Sequence, residues 1–526
     1  VGGGGPGGKA EFFLSQRMNA PAFVDRGTWG ATVHLNMRTT ILNRAAKSPL
    51  PGRVHIVGIG GAGASGCARI LAQGGTRVSG FDRAPSAFLV GLRNVGIEVH
   101  VGDSARPALP QDVGLVVRSA AVPETDPDCV AALERGVPVW KYSRLLRELA
   151  PVDRTLAVAG THGKTSTAWL LAYALRGLDH AMGGAVPSRG FLIGGTCQKL
   201  GVNSALARPG GWFAIEACEY DRTFLQFEST GAIITNVEAD HLDYYGSLEA
   251  IHEAFARFVD RVHPSGLLVV GDEVPERITS VCRAPVWRLG KELRVKLLGE
   301  DRGCFRFRVE GPGWASPPLT LDLPGRFQVD NAALAIGLTV GRAAHQWNLE
   351  PTRVVGEVVR WVMRFSGALR RFERWGASEG IEVVHDYAHH PTEVRVTLDA
   401  ARRAFPGRQL HVLFQPHQHS RTARFLDDFV ESLRGVDRAV ISDVYGARTH
   451  IDHVGAGAEE LARRLRKADV QALAGGDLAS STSAILEDLP PNAALLVLGA
   501  GDIDTIRDDL FRELALRCPA PSGAGA

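Results

Sequence analysis

The chain has no long apolar run. Its longest apolar stretches among 526 residues, such as Ala493-Ala494-Leu495-Leu496-Val497-Leu498, have the length of a buried strand. A membrane-spanning helix needs about 18 to 20 such residues in a row, so a protein that crosses a bilayer by helices is excluded. Surplus charge is lacking too. Fifty-nine Lys and Arg against 57 Asp and Glu leave a formal net charge of +2, and nothing global favours nucleic acid. Cysteine is sparse, seven residues at 67, 129, 197, 218, 282, 304 and 518, with no C-x-x-C pair. That excludes the common zinc-ribbon spacings, argues against a disulfide framework and predicts a reducing, cytoplasmic compartment. Lysine is scarce as well, eight of the 59 basic residues, so a lysine inside a motif is conspicuous.

What is present is ordinary for a globular protein: 45% hydrophobic and 22% charged residues. At roughly 150 residues per domain the length suggests three or four domains. The first eight residues are mostly glycine and lack the charged-then-apolar order of a secretory signal. Residues 1–48 are expected to form a disordered extension and 519–526 a loose tail. Between them, short apolar β-rich runs alternate with helical periodicity, which predicts an α/β protein. Three blocks separate: 49–151, 152–365 and 366–518. Within the second, short alternating runs over 290–322 predict a small antiparallel excursion.

Two glycine loops carry the chemistry. In the first, Val54-His55-Ile56-Val57 reads as a buried strand, followed by Gly58-Ile59-Gly60-Gly61-Ala62-Gly63 and a helix. Such a turn brings backbone N–H groups to a pyrophosphate at the positive end of a helix dipole. A second strand ends in Asp82, where a ribose-binding acid belongs. NAD, FAD and a nucleotide sugar all satisfy this pattern. In the second, Leu156-Ala157-Val158-Ala159 leads into Gly160-Thr161-His162-Gly163-Lys164-Thr165-Ser166 and an apolar helix. Here N–H groups surround phosphate oxygens, Lys164 neutralises their charge and the Thr165 hydroxyl can ligate Mg²⁺. The loop is a shortened variant of G-x-x-x-x-G-K-[ST], because Val158 stands five residues before Gly163. Carboxylates at later strand ends supply the metal partners expected of such a loop. Glu216 stands in Ile215-Glu216-Ala217-Cys218-Glu219, and Glu238 and Asp240 in Asn236-Val237-Glu238-Ala239-Asp240-His241.

Taken together, the G-T-H-G-K-T loop, Glu216-Ala217-Cys218-Glu219 and Asn236 to His241 resemble the Mur ligases of peptidoglycan synthesis, over nearly all of residues 52–515. The resemblance implies an N-terminal Rossmann-like domain for a UDP-linked substrate, a central P-loop ATPase-type domain and a Rossmann-like C-terminal domain. It implies that Gly58, Gly60, Gly61, Ala62, Gly63, Asp82 and Ser119 hold UDP rather than a dinucleotide. ATP falls to Gly160, Thr161, His162, Gly163, Lys164, Thr165, Ser166, Asn236, Asn331, Arg370 and Asp386. Thr165, Glu216 and His241 are the implied Mg²⁺ ligands. In the third block, His385-Asp386-Tyr387-Ala388-His389-His390-Pro391-Thr392-Glu393, Phe414-Gln415-Pro416-His417, Ser420-Arg421-Thr422 and Gly499-Ala500-Gly501-Asp502-Ile503 resemble the members that join L-alanine to UDP-N-acetylmuramate. The tripeptide-adding recycling ligases share the double histidine.

Lys164, His389, His390 and Arg421 are the catalytic candidates on this reading, the last three for substrate positioning or charge stabilisation. His389 and His390 could equally be a satisfied loop pair beside a proline, and Arg421 a surface charge. The sequence also departs from the family pattern. Cys218 replaces an Asp and His385 the first Asp of D-D-Y. Phe327 and Gln328 replace a His and an Asn in Pro324-Gly325-Arg326-Phe327-Gln328-Val329-Asp330-Asn331, which puts adenine contact in question. An NAD-type oxidoreductase would leave the GKT loop without a role, and a degenerate nucleotide-binding homologue without turnover is the remaining alternative.

Overall fold

The computed structural model describes residues 50–103, 106–151, 153–184, 189–446 and 457–517. The expected extension 1–48 and the tail 519–526 lie outside the described residues. Three main sheets follow one another along the chain, each wrapped by helices, as the sequence predicts.

The first is a five-stranded parallel sheet in the order Glu98–Val101, Arg77–Asp82, Arg53–Val57, Leu115–Arg118, Val139–Lys141. Strand order reverses beside Arg53–Val57, and ligands of open α/β sheets bind at such a switch point. The first glycine loop leaves this strand there.

The central sheet has seven strands, and its middle strands Ser229–Ile234, Thr155–Ala159 and Phe213–Glu216 are parallel. Thr155–Ala159 is buried along its whole length, as its unbroken apolar run requires. The helix Lys164–Ala181 is buried on nearly every side, between the sheet and the helices Arg326–Trp347 and Pro351–Val362. The predicted antiparallel excursion is a small four-stranded sheet over Arg294–Thr320. The first and central sheets share one continuous apolar core, running from Val54 through Ile215 to Ile278.

The third sheet orders its strands Glu373–Ser378, Ile381–Asp386, Ala494–Gly499, Leu410–Gln415, Arg438–Ser442, Gln471–Gly476. Only the first edge strand runs antiparallel. Ala494–Gly499 serves two cores at once: Leu496 and Leu498 face one apolar cluster, Leu495 and Val497 the other. Each such leucine contributes roughly 1.5–3 kcal/mol by leaving water. The segment entering this domain is pinned to the central one, since Leu369 N donates to Thr196 O (2.8 Å) and Cys197 bridges Ala368.

Candidate active site

The phosphate loop spans the gap between Ala159 and the helix that starts at Lys164. Its shape depends on glycine. Gly160 has φ +139°, and a Cβ there would lie 1.9 Å from Thr235 Oγ1, while Gly163 has φ +79°. Asn236 braces the loop from the next strand end, its Oδ1 accepting from His162 N (2.8 Å) and its Nδ2 donating to His162 O (3.2 Å). Lys164 Nζ donates to Gly160 O (2.6 Å), Thr161 O (2.9 Å) and Glu219 Oε1 (3.0 Å). Burial works against the ammonium charge, but Glu219 outweighs it and holds the lysine above its usual range. Ser166 is buried in the first turn of the helix.

The expected metal ligands fall into two groups. Thr165 Oγ1 donates to Glu216 Oε1 (3.0 Å), and Gly194 N to Glu216 Oε2 (2.7 Å). His241 instead stands with Glu219 and Asp240, its Nε2 3.7 Å from a carboxylate oxygen of each. Burial pushes its pKa down to about 4, so the ring is neutral and has a lone pair to offer. Glu219 Oε2 is buried without a hydrogen-bond partner. These are hard oxygen donors with one imidazole, a set that suits Mg²⁺. Glu219 was not singled out in the sequence, although it stands three residues after Glu216, just past the strand end, in the motif that pointed there.

The third domain meets the phosphate loop directly. Thr392 Oγ1 donates to Glu238 Oε2 (2.7 Å), Arg421 Nη2 to Asp240 Oδ1 (2.7 Å), and His162 Nδ1 lies 3.1 Å from Glu393 Oε1. Arg421 is therefore no surface charge; its side chain is 6% exposed. Burial raises the Asp240 carboxyl, but the Arg421 guanidinium overcomes it and keeps the group ionised. Burial likewise disfavours an imidazolium at His162, yet Glu238 and Glu393 push its pKa up to about 9. His389 Nδ1 lies 3.0 Å from Tyr387 O. His390 caps the helix Pro391–Ala404, its Nδ1 accepting from Thr392 N (3.3 Å), and its ring packs 4.7 Å from that of His162. His162, Glu238 and His390 each bring a potential ligand atom within 4.8 Å of the others. The cap bond, however, leaves the proton of a neutral His390 on Nε2, which removes the lone pair a metal would need.

Two further expected ATP contacts, Arg370 and Asp386, make hydrogen bonds within the third domain. Arg370 directs its guanidinium at Gly501 O (2.7 Å) and Gly499 O (3.4 Å), away from the loop. Both arginines lie over the Tyr387 ring, Arg370 at 4.8 Å and Arg371 at 4.9 Å, but Arg371 is the one turned inward, 3.8 Å from Glu393. Asp386 accepts from Phe372 N (2.6 Å) and Ala388 N (2.8 Å), and burial pushes its pKa up to about 6. The questioned Gln328 and the expected Asn331 are both buried at the start of Arg326–Trp347, three residues apart and so on one helix face. Gln328 Oε1 and Asn331 Nδ2 have no partner, and Asn331 Oδ1 would be 3.0 Å from a Cβ on Gly163. Asn331 thus brings an unused donor beside the phosphate loop, and Gln328 an unused acceptor on the same helix face. Phe327 packs against the core of the third domain.

In the first domain, Asp82, the expected ribose acid, stands at the glycine loop. Its Oδ2 accepts from Gly60 N (2.8 Å) and its Oδ1 from Ala84 N (3.3 Å), so it shapes the glycine loop. Ser119 closes the other side, close enough that a Cβ on Gly58 would lie 2.5 Å from its Oγ. Gly63 lies against the Tyr142 ring. Ala62 O accepts from Asn203 Nδ2 (2.8 Å), a direct bond between the first glycine loop and the central domain.

Family profiles match the chain in three consecutive stretches: "Mur ligase family, catalytic domain" over residues 53–154, "Mur ligase middle domain" over 158–339 and "Mur ligase, glutamate ligase domain" over 370–501. The UDP-N-acetylmuramate–L-alanine ligase of Kineococcus radiotolerans is 40% identical over 489 residues, 89% of this chain and 97% of that protein. The chain belongs to the Mur ligase family. Among solved structures of this Mur ligase fold, the UDP-N-acetylmuramate-alanine ligase of Thermotoga maritima superposes with a TM-score of 0.70 at 24% identity, covering 89% of this chain and all of that one. A murein peptide ligase from Psychrobacter arcticus superposes with a TM-score of 0.64 at 22% identity, over 89% and 99% of the two chains.

Proposed function

We propose that the protein is an ATP-dependent ligase that joins L-alanine to the carboxylate of UDP-N-acetylmuramate in the cytoplasm, a step of peptidoglycan precursor synthesis. The observation that carries this reading is the meeting of three motif sets in one place. The phosphate loop, the strand-end acids and the His389-His390 loop of the third domain are within hydrogen-bonding reach of one another.

A carboxylate is a poor electrophile, and direct attack by an amine would have to expel oxide. Phosphorylation removes that obstacle. The substrate carboxylate attacks the γ-phosphorus of ATP and ADP departs; the amine of L-alanine then attacks the acyl carbon and inorganic phosphate leaves. Phosphoryl transfer depends on positioning and charge neutralisation more than on covalent help from the protein. Gly160, Thr161, His162, Gly163, Lys164, Thr165 and Ser166 form the phosphate seat, with Lys164 as its charge and Asn236 as its brace. Asn331, joined by Gln328, takes the adenine edge. Magnesium, when bound, neutralises charge on the transferring group, and Thr165 and Glu216, with His241 and Glu219 beside them, are the donors present to hold it. His389, His390 and Arg421 form the wall that the third domain lays over the reacting carboxyl group. Gly58, Gly60, Gly61, Ala62, Gly63 and Ser119 hold the UDP pyrophosphate, with Asp82 keeping their loop in shape. The domains run 49–151 for the UDP substrate, 152–365 for ATP and 366–518 for the amino acid.

The test is phosphate release from purified protein with ATP, Mg²⁺ and UDP-N-acetylmuramate. Release that depends on L-alanine is expected, and a product carrying both the sugar nucleotide and alanine by mass. Release with no amino acid, or with the tripeptide alone, refutes the assignment.

A further inference from the structure

One carboxylate joins the phosphate loop to the third domain in a way that the reading above does not use. Glu393 stands in the first turn of Pro391–Ala404 with its side chain 12% exposed. Its Oε1 lies 3.1 Å from His162 Nδ1 and 3.8 Å from Arg371 Nη1. Its Oε2 accepts from His389 N (3.1 Å) and lies 3.1 Å from His389 Nδ1. A loop of the central domain, the inward arginine after the linker and the first histidine of the pair are thus referred to one anion. Arg371 has otherwise the Tyr387 ring and the more distant charges of Asp386 and Glu216, and His389 the Tyr387 carbonyl and the Tyr387 and His417 rings. None of these is a hydrogen bond or close ion pair to the phosphate loop. We propose that Glu393 is the positioning residue that fixes His389 and Arg371 relative to the phosphate loop, acting through the His162 imidazole. This rests on the ligase reading above.

The alternative role for Glu393 is that of a simple clasp between domains, and the structure separates the two. Thr392–Glu238 and Arg421–Asp240 bridge the same domains without Glu393. Removing its charge should leave the third domain docked while freeing His389 and Arg371 to wander. Sub-ångström to ångström misplacement of such groups costs rate far more than it costs binding.

The experiment uses the full chain and four variants: Glu393→Gln, Glu393→Asp, His162→Gln and the double Glu393→Gln/His162→Gln. Steady-state kinetics should show kcat falling on the order of 100-fold in Glu393→Gln with the KM for UDP-N-acetylmuramate changed by less than about threefold. Glu393→Asp should recover part of the rate, and the double variant should be little worse than either single one, because both remove the same link. Titration calorimetry with AMP-PCP and ADP reads the same link without the sugar substrate: Glu393→Gln should lose about tenfold of any preference for AMP-PCP. Small-angle scattering with AMP-PCP should give the wild-type radius of gyration. A kcat within about threefold of wild type, losses that multiply in the double variant, or an expanded radius in Glu393→Gln overturns the proposal. A wild type that binds nucleotide but makes no product fails only the substrate assignment, since the calorimetric arm still decides for or against Glu393. A wild type that binds neither nucleotide overturns both.

Discussion

Lys164 and Glu219 form a nearly buried ion pair, and the two cannot be separated cheaply. Replacing Lys164 by Ala removes the positive charge of the phosphate seat, and kcat should fall about 10³-fold or more. It also strands the Glu219 carboxylate, 5% exposed, beside His241. Leaving one member of a buried pair typically costs about 3 kcal/mol or more. Lys164→Ala should therefore melt lower than wild type, and Lys164→Ala/Glu219→Gln should regain most of the melting temperature without regaining activity. Calorimetry paired with the phosphate assay checks both halves; equal melting of the single variant and wild type would contradict the pairing. At Gln328 and Asn331 the unpartnered amide atoms make a milder case. Asn331→Ala should raise the KM for ATP by about tenfold, the worth of one hydrogen bond lost to a buried partner, and leave the KM for L-alanine alone. Motif residues such as Lys164, Thr165, Glu216 and His389 were legible because fixed spacing betrays them. Glu219 and Glu393 stand within the motifs without a role that spacing assigns, and Arg371 stands outside them; all three pair with other side chains, which spacing does not reveal.

At the scale of elements, the loops are more constrained than the strands they join. Gly160 lies at φ +139° against Thr235, so Gly160→Ala combines backbone strain with a clash. Strain of this kind costs roughly 1–3 kcal/mol. The loop can relieve it only by moving off Thr235, so nucleotide affinity should drop at least about tenfold, more than the loss of stability alone would suggest. Calorimetric titration with ADP checks this, and an unchanged Kd would show that the loop tolerates the shift. Strands such as Thr155–Ala159 and Ala494–Gly499 were readable from their apolar runs, since burial on both faces demands them. The edge strand Glu373–Ser378 was not, because its buried face pairs a charged Glu373 with Trp375 and its register shifts between Arg374 and Gly376; pairing with Ile381–Asp386 and the packing of Trp375 hold it in place.

Across the whole molecule, folding stability is linked to protons through His162 and the carboxylates around it. The His162 pKa rises from its ordinary 6.5 to about 9 in the folded protein, because Glu238 and Glu393 outweigh its burial. A raised folded pKa gives stability that is complete below about 6.5 and is lost as pH rises through 9. Glu238 and Glu393 are both depressed from 4.5, so their share is complete above that value and disappears as pH falls further. Folding stability should thus be greatest near pH 5–6.5 and should weaken progressively toward pH 9, by no more than about 3 kcal/mol. Thermal melting across pH 6.5–9 should show a decline that His162→Gln lacks; an identical decline in that variant would remove His162 as its source.

The sequence by itself determined the three α/β blocks, the two glycine loops and the acids at strand ends. These follow from local rules: apolar runs make buried strands, and tight turns before helices need glycine. Only the tertiary structure decided which of two adjacent arginines faces the phosphate loop, that Asp82 shapes its loop, and that Arg421 is buried against Asp240. Those outcomes depend on how separate domains pack, and two neighbouring residues with the same chemistry differ only in the direction that packing gives them.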